Sequence, residues 1–254
     1  MSALAISLVA FGCIFGGTLI GMYLRAVLPE HHLSDESKNS VKLGIGMIAT
    51  MSALVLSLLI TSAKGTFDTI NDGLIQTGSK IILLDRIMAQ YGPETGESRD
   101  LLRRSVASAI DQLWPKERKQ YTKGKALNPK AGLEAIHDKL LRISPQSEVQ
   151  HRLLSQALQI SGNIAEIRWL LTEQEGQSSL PMPFFLMLVF WLVIIFFCFG
   201  MVSPTNATVI TVLLVCSLSV AAALYMILEL DRPYGGLIEI SGAPLRNALT
   251  YLSQ

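Results

Sequence analysis

The side chains best suited to chemistry lie on one predicted helix near the start of the chain. They recur at three-, four- and seven-residue steps: Thr50, Ser57, Thr61, Lys64, Asp68 and Asn71. At about 100° per residue, all of them lie within roughly 60° of one direction. Lipid would penalise such a face, so we expect it to line a protein interior or a water-filled passage. Hydroxyl groups can replace part of an anion's hydration shell, and an ammonium group attracts anions. The pattern therefore predicts pore-lining roles for Thr50, Ser57 and Thr61, with Lys64 at the mouth.

The same residues also have a purely structural interpretation. Thr and Ser hydroxyls in membrane helices commonly bond to the preceding turn or to a neighbouring helix, and a lysine at a span end can extend to the headgroups. Lys64 with Asp68 one turn later is also a common solvated ion pair. If the Asp68 carboxylate dominates the mouth instead, the same face would conduct cations.

The distribution of charge predicts the elements that position this face. Asp, Glu, Lys and Arg are absent from residues 1–24, 43–63 and 176–228, although the chain carries 21 basic and 20 acidic residues in total. Because about 20 apolar residues cross the hydrocarbon core, these stretches predict four transmembrane helices, at about 2–24, 43–63, 183–202 and 207–228. The near-zero net charge gives no indication of a nucleic-acid partner. The lipid bilayer is the partner that the composition implies.

The second span continues beyond the membrane as a long helix. After Lys64, apolar residues continue at helical spacing: Phe67, Ile70, Leu74, Ile81, Leu84, Met88 and Tyr91. Further helical segments follow, the first capped by Ser98, the second beginning at Asn128-Pro129, and the third beginning at Ser144-Pro145 with Val149 at the start of its apolar stripe. The predicted fold is therefore an all-α integral membrane protein with four transmembrane helices and a helical extramembrane domain, residues 65–180, inserted between the second and third.

The predicted organisation is completed by two hairpins and a tail. Residues 1–64 form the first transmembrane hairpin, residues 181–230 the second, and residues 231–254 an interfacial C-terminal segment. Glu229, Asp231 and Arg232 meet at the boundary between the last span and this tail. They predict a compensated charge cluster with a possible gating role, for which a simple helix-end anchor is the alternative.

No motif in the sequence indicates an enzyme, a cofactor site or a metal centre. There is no phosphate-binding glycine loop, no nucleophile with a base, and no CxxC or HExxH spacing. The adjacent His31 and His32 would point apart on a helix, and His137 and His151 lie on separate segments. Cys13, Cys198 and Cys216 all fall inside predicted spans as small apolar residues. We expect no catalytic residues, no cofactor and no bound metal.

Several stretches resemble the bestrophin-like family of bacterial integral membrane proteins. They are Ser62-Ala-Lys-Gly-Thr-Phe-Asp, Ile82-Leu-Leu-Asp-Arg with Tyr91-Gly-Pro, Arg168-Trp-Leu-Leu, and Leu228-Glu-Leu-Asp-Arg-Pro-Tyr-Gly-Gly-Leu with Ile240-Ser-Gly-Ala-Pro-Leu. A further likeness, to bestrophin anion channels, implies a homo-oligomer, with a pentamer favoured, whose second membrane helix lines an anion pathway. Bestrophins have a bulky apolar neck on that helix, whereas the second span here has no aromatic residue.

The sequence as a whole predicts a homo-oligomeric anion channel of a bacterial inner membrane that passes small inorganic ions. Four crossings put both termini and the helical domain on one side, and we expect that side to be the cytosol because the second hairpin carries no charge. Two alternatives stay open. One is a non-conducting scaffold or sensor that recruits a partner through its projecting helix, and the other is the cation channel that uses Asp68.

Overall fold

A computed structural model describes residues 2–28, 35–114, 129–176, 181–231 and 236–253, and all the regular structure in these ranges is helical. The helices are α1 Ala3–Val27, α2 Asp35–Tyr91, α3 Gly96–Leu113, α4 Pro129–Leu141, α5 Glu148–Gly176, α6 Met182–Val202, α7 Ala207–Leu230 and α8 Ala243–Tyr251. They group into two compact units. Unit 1 comprises Met1–Thr66 and Ser178–Ile238, and unit 2 comprises Phe67–Gln177 and Glu239–Gln254.

Four of these helices, α1, α2, α6 and α7, are long and apolar enough to cross a membrane. The predicted all-helical fold with four candidate membrane spans is thus confirmed. The break between the last two spans also falls where the sequence predicts it, since α6 ends at Val202 and α7 begins at Ala207. The short Ser-Pro-Thr-Asn link between them contains Pro204, which cannot continue a helix.

In unit 1, α1 and α6 run parallel and approach each other at glycines. Gly17 lies against Val193, with 3.2 Å from a Cβ at this glycine to the Val193 carbonyl oxygen, and Gly21 lies one turn later against Phe197 and Met201. At the ends of the two helices, the Arg25 guanidinium donates to the Val202 carbonyl oxygen at 2.8 Å. Two consecutive GxxxG spacings lie in α1, Gly12/Gly16 and Gly17/Gly21. The Gly17/Gly21 pair packs within the chain, as small residues in membrane helices do.

The core of unit 1 is formed by all four of its long helices. Among its most buried side chains are Ile14, Leu59, Phe185, Leu188 and Leu224, which come from α1, α2, α6, α6 and α7 respectively. In water, burying such a side chain stabilises the fold by about 1.5–3 kcal/mol. In lipid, the stabilisation comes mainly from van der Waals packing between the helices. The core therefore fixes which face of α2 points inward.

In unit 2, the continuing part of α2 buries the predicted apolar stripe. Ile70, Leu74, Ile81, Leu84 and Met88 are each less than 5% exposed. The helix ends at Tyr91 as predicted, because Gly92 adopts φ = 136°, a conformation that favours glycine, and Pro93 follows.

The other helices of unit 2 pack in sequence, α3 on α4 and α4 on α5, and α8 packs on α3.

Three local predictions for these helices are wrong. The first segment begins at Gly96 rather than after a Ser98 cap, so Ser98 is buried inside the helix. The third begins at Glu148, where Ser147 rather than Ser144 accepts a backbone N–H at the helix start. Val149 is 57% exposed, so the buried face of α5 begins at Leu154 and Ala157 rather than at Val149, and it continues through Ile160 and Ile164 as predicted.

Candidate functional site

The membrane part of α2 has a buried face and an opposite, exposed face. Its buried face carries Ile45, Ser52, Leu59 and Ala63, each at most 6% exposed. We call the predicted pore-facing residues Thr50, Ser57, Thr61 and Lys64 the polar line. At 100° per residue, the mean direction of the four buried residues lies roughly 145° from the mean direction of the polar line. The residues of that line, Thr50, Ser57, Thr61 and Lys64, are all exposed in the single chain. The predicted pore-lining side chains therefore face away from the core of their own subunit.

Two of the hydroxyls are hydrogen-bonded to their own helix. Thr50 Oγ1 donates to the Gly46 carbonyl oxygen and Thr61 Oγ1 donates to the Ser57 carbonyl oxygen, both at 2.9 Å. In this arrangement each threonine offers oxygen lone pairs outward rather than a proton. Turning a hydroxyl outward to donate to an anion would break one such bond, at a cost of about 1 kcal/mol.

The charged end of this face carries a basic residue followed by acidic ones. Lys64 is exposed at the end of the apolar segment of α2. In unit 2, Asp68 and Asp72 are both exposed and lie one helical turn apart. Asp72 was not singled out by the sequence reasoning, although its spacing of four residues from Asp68 is the signal that identifies it.

Ser52 is a second residue that sequence reasoning missed. It is 4% exposed, and its hydroxyl has no hydrogen-bond partner among the described residues. It lies seven residues before Leu59, on the buried face of the helix that carries the polar line. Because Ser52 is buried and the hydroxyl-bearing residues on the other face are exposed, reagent access to the two faces can be compared within one helix.

The predicted boundary cluster is only partly described. Glu229 is 5% exposed, and its carboxylate accepts hydrogen bonds from the Leu237 backbone N–H and the Tyr225 hydroxyl. Gly236 packs directly on this carboxylate. Asp231 caps the C-terminus of α7, whereas Arg232 lies outside the described residues. What the structure describes is thus a carboxylate on the last turn of α7 that binds the backbone N–H of Leu237, and a gating role stays a prediction.

Among the described residues, no group of three or more His, Cys, Asp or Glu side chains is placed to hold a metal ion. His31 and His32 lie outside the described residues. His137 Nδ1 is 2.7 Å from Ser161 Oγ, which itself donates to the Leu158 carbonyl oxygen at 2.9 Å. Because that proton is committed, Nδ1 of His137 is the donor to Ser161, and this histidine links α4 to α5.

Three crystal structures of a bacterial Bestrophin homolog from Klebsiella pneumoniae share this fold. Two structures with single substitutions superpose with TM-scores of 0.66 and 0.64 at 13% and 14% identity, covering 98% and 100% of this chain and 99% of theirs. A third, phased by Zn-SAD, gives 0.64 at 12% identity over 94% of this chain and 97% of that one. At these identities the likeness shows the fold alone.

The family assignment comes from the sequence itself. No functionally curated protein matches the sequence significantly. The sequence profile of the Bestrophin-like domain, however, matches residues 12–245. Because this match covers most of the chain and overlaps all four candidate membrane helices, the protein belongs to the bestrophin-like domain family of membrane proteins.

Proposed function

We propose that the chain assembles into a homo-oligomeric ion channel whose passage is lined by the exposed polar face of α2. One observation carries the proposal. Thr50, Ser57, Thr61 and Lys64 lie opposite the buried face of the helix and are exposed in the single chain. In a bilayer, a face with hydroxyl and ammonium groups that its own subunit does not cover is stabilised by water or by other subunits beside it.

We further propose that the passage selects anions through Lys64. In a ring of subunits, the charge nearest the low-dielectric part of the passage has the strongest effect on a passing ion. Lys64 directly follows the apolar segment of α2. Asp68 and Asp72 lie about 6 and 12 Å further along the helix at 1.5 Å per residue, where solvent screens them more strongly. The Lys64 ring therefore outweighs them.

A cation channel is the second candidate, and two observations favour it. The hydroxyl protons of Thr50 and Thr61 are committed to the helix, so their oxygens are offered to the passage. Asp68 and Asp72 together carry more charge than Lys64. Lone pairs and carboxylates suit a cation, whereas anion selectivity requires the hydroxyls to turn.

Reversal potentials in planar bilayers under a salt gradient distinguish the two candidates. For an anion channel, Lys64→Glu shifts the reversal potential toward that of the cation, and Asp68→Asn/Asp72→Asn leaves its sign unchanged. For a cation channel, the double Asn variant loses cation preference instead. An unchanged selectivity in all variants would remove both charged groups from the selectivity mechanism.

Thiol labelling tests the passage itself. In a background with the three native cysteines replaced, a charged, membrane-impermeant thiol reagent should modify Ser57→Cys and change the current. Ser52→Cys, on the buried face of the same helix, is the matched control and should not react. Equal protection of both positions would contradict a hydrated passage along α2.

A further inference from the structure

The polar line of α2 is flanked by two edges of opposite shape. On one side lie large apolar side chains at seven-residue steps, Met47 and Leu54, which are 71% and 68% exposed. On the other side, one residue earlier in each repeat, lie Gly46 and Ala53, which are also exposed. A Cβ placed on Gly46 would meet, outside its own helical turn, no atom of the described residues within 4 Å. Large side chains and open space therefore stand on opposite sides of the same line.

These two edges lie at matching heights on the helix. Gly46 and Met47 differ by one residue, or about 1.5 Å of rise, and so do Ala53 and Leu54. A spacing of seven residues keeps each edge on its own side of the helix over two turns. When parallel copies of α2 stand side by side at the same height, Met47 of one copy therefore faces Gly46 of the next.

The symmetry of a ring requires each subunit to present two different edges to its neighbours. A closed ring of more than two subunits uses a heterologous contact, in which one surface of each copy meets a different surface of its neighbour. A two-fold contact would place Met47 against Met47 and leave the space at Gly46 unfilled. A small residue on one membrane helix leaves room for a large side chain of its neighbour, and filling that room gains van der Waals contacts.

We propose that the Met47/Leu54 edge of one subunit packs into the Gly46/Ala53 edge of a second copy of this chain, repeated around the ring. This seam rests on the proposed function, because it names the partner that closes the passage on either side of Thr50 and Ser57. It places the polar line of every copy toward the common axis. It also covers apolar side chains that the single chain leaves exposed.

Disulfide cross-linking tests the seam. In the cysteine-free background, Ala53→Cys/Leu54→Cys should produce a covalent ladder on a denaturing gel, up to the full ring. Either single cysteine should give no species above a dimer, because one thiol can form one bond. Ser52→Cys/Ala53→Cys is the matched control, since Ser52 is buried in its own subunit, and it should give no ladder. Absence of a ladder from Ala53→Cys/Leu54→Cys in an oligomeric sample would overturn the seam.

A steric variant provides a second measurement. Gly46→Leu fills the space that the seam requires and should shift the particle from oligomer to monomer in light scattering, with helical content unchanged. Gly12→Leu on α1 is the matched control, because Gly12 also has no atom within 4 Å of a Cβ. Unchanged assembly of Gly46→Leu would contradict the seam.

Ion flux into liposomes separates this proposal from the proposed function. A full ladder without flux through the unoxidised protein would keep the seam and refute conduction. Flux without a ladder would keep conduction and refute the seam. Co-purification of a different protein on the Met47/Leu54 edge, with no self-cross-link, would also refute the seam.

Discussion

Gly21 of α1 and Gly200 of α6 each lie directly against the backbone of the other helix. A Cβ on Gly21 would overlap the Phe197 carbonyl oxygen, and a Cβ on Gly200 would overlap the Thr18 carbonyl oxygen. Because neither glycine has a side chain, the two backbones can approach closely here, one turn before the Arg25 hydrogen bond to Val202. Because the two helices run parallel, the first and third spans cross the bilayer in the same direction. This direction is the one that four successive crossings require.

Substitution at this crossing should separate the two helices. Gly21→Leu inserts a side chain where backbone atoms of α6 already lie, and we expect a loss of stability of at least about 1–3 kcal/mol, the typical cost of overpacking. A drop in melting temperature in detergent measures it. Gly16→Ala on the same helix, with no atom within 4 Å of its Cβ, is the control. Equal melting of both variants would show that the crossing does not limit stability.

The ion pair between Glu97 of α3 and Lys139 of α4 should make unit 2 sensitive to acid. The hydrogen bond from Lys139, together with its charge, lowers the pKa of Glu97 below its usual range. A carboxyl whose pKa is lower in the folded state contributes stability above its unfolded pKa of about 4.3, and this contribution is lost as the pH falls further. The effect is small because Glu97 is exposed.

The measurement is the difference in melting temperature between the native chain and Glu97→Gln as a function of pH. We expect a positive difference at pH 6 that shrinks toward zero below pH 4. Glu134→Gln is a suitable comparison, because its contact with Arg168 is longer, at 3.8 Å. A difference that does not change across this range would indicate that the pair contributes nothing measurable.

The elements that sequence reasoning located correctly have local causes. The end of α2 at Tyr91 follows from Gly92 and Pro93, and the break at residues 203–206 contains Pro204. The inward stripe of α2 follows from apolar spacing alone. These features depend on residues a few positions apart, so they can be read along the chain.

Other features could not be predicted because they depend on residues far apart in the sequence. The sequence does not predict α8, whose position depends on Trp114, 126 residues away from Ile240. Glu229 belongs to the predicted boundary cluster, but the sequence does not predict that its carboxylate accepts a hydrogen bond from the backbone N–H of Leu237. At the candidate site, the spacing predicted which side chains share a face. It did not predict that Ser52 lies buried on the opposite one, because burial depends on α1, α6 and α7.

Trp114 should attach the C-terminal segment to α3. Its indole Nε1–H donates to the Ile240 carbonyl oxygen at 2.9 Å, and its ring packs against Gly242. Trp114→Phe would keep most of the packing but leave that buried carbonyl without its donor, at a cost of about 1–3 kcal/mol. Hydrogen exchange should accelerate in α8. Trp169→Phe, at a position 60% exposed, should leave the exchange unchanged. Acceleration in both variants would contradict the attachment role.

Asp85 of α2 and Arg99 of α3 should be strongly coupled. Arg99 Nε donates to Asp85 Oδ1 at 2.7 Å and Nη2 donates to Oδ2 at 3.0 Å, while Asp85 is only 5% exposed. The hydrogen bond to Asp85 raises the pKa of Arg99, so the guanidinium stays charged at every working pH. Arg99→Met would strand a buried carboxylate, and we expect a loss of about 2–3 kcal/mol, below the value for a fully buried pair because Arg99 is partly solvated.

A double-mutant cycle isolates this coupling from the packing of the two side chains. Asp85→Asn/Arg99→Met removes the stranded charge, so it should be less destabilised than Arg99→Met alone, giving an interaction energy of about 1–2 kcal/mol. Arg99→Lys should fall between the native chain and Arg99→Met, since it keeps the charge but loses the two-point contact. Denaturant or thermal melting in one detergent measures the native chain, Asp85→Asn, Arg99→Met and the double variant, with Arg99→Lys as a fifth protein. Additive losses would mean that the carboxylate finds water when its partner is removed, and that α2 and α3 are joined by their apolar contacts instead.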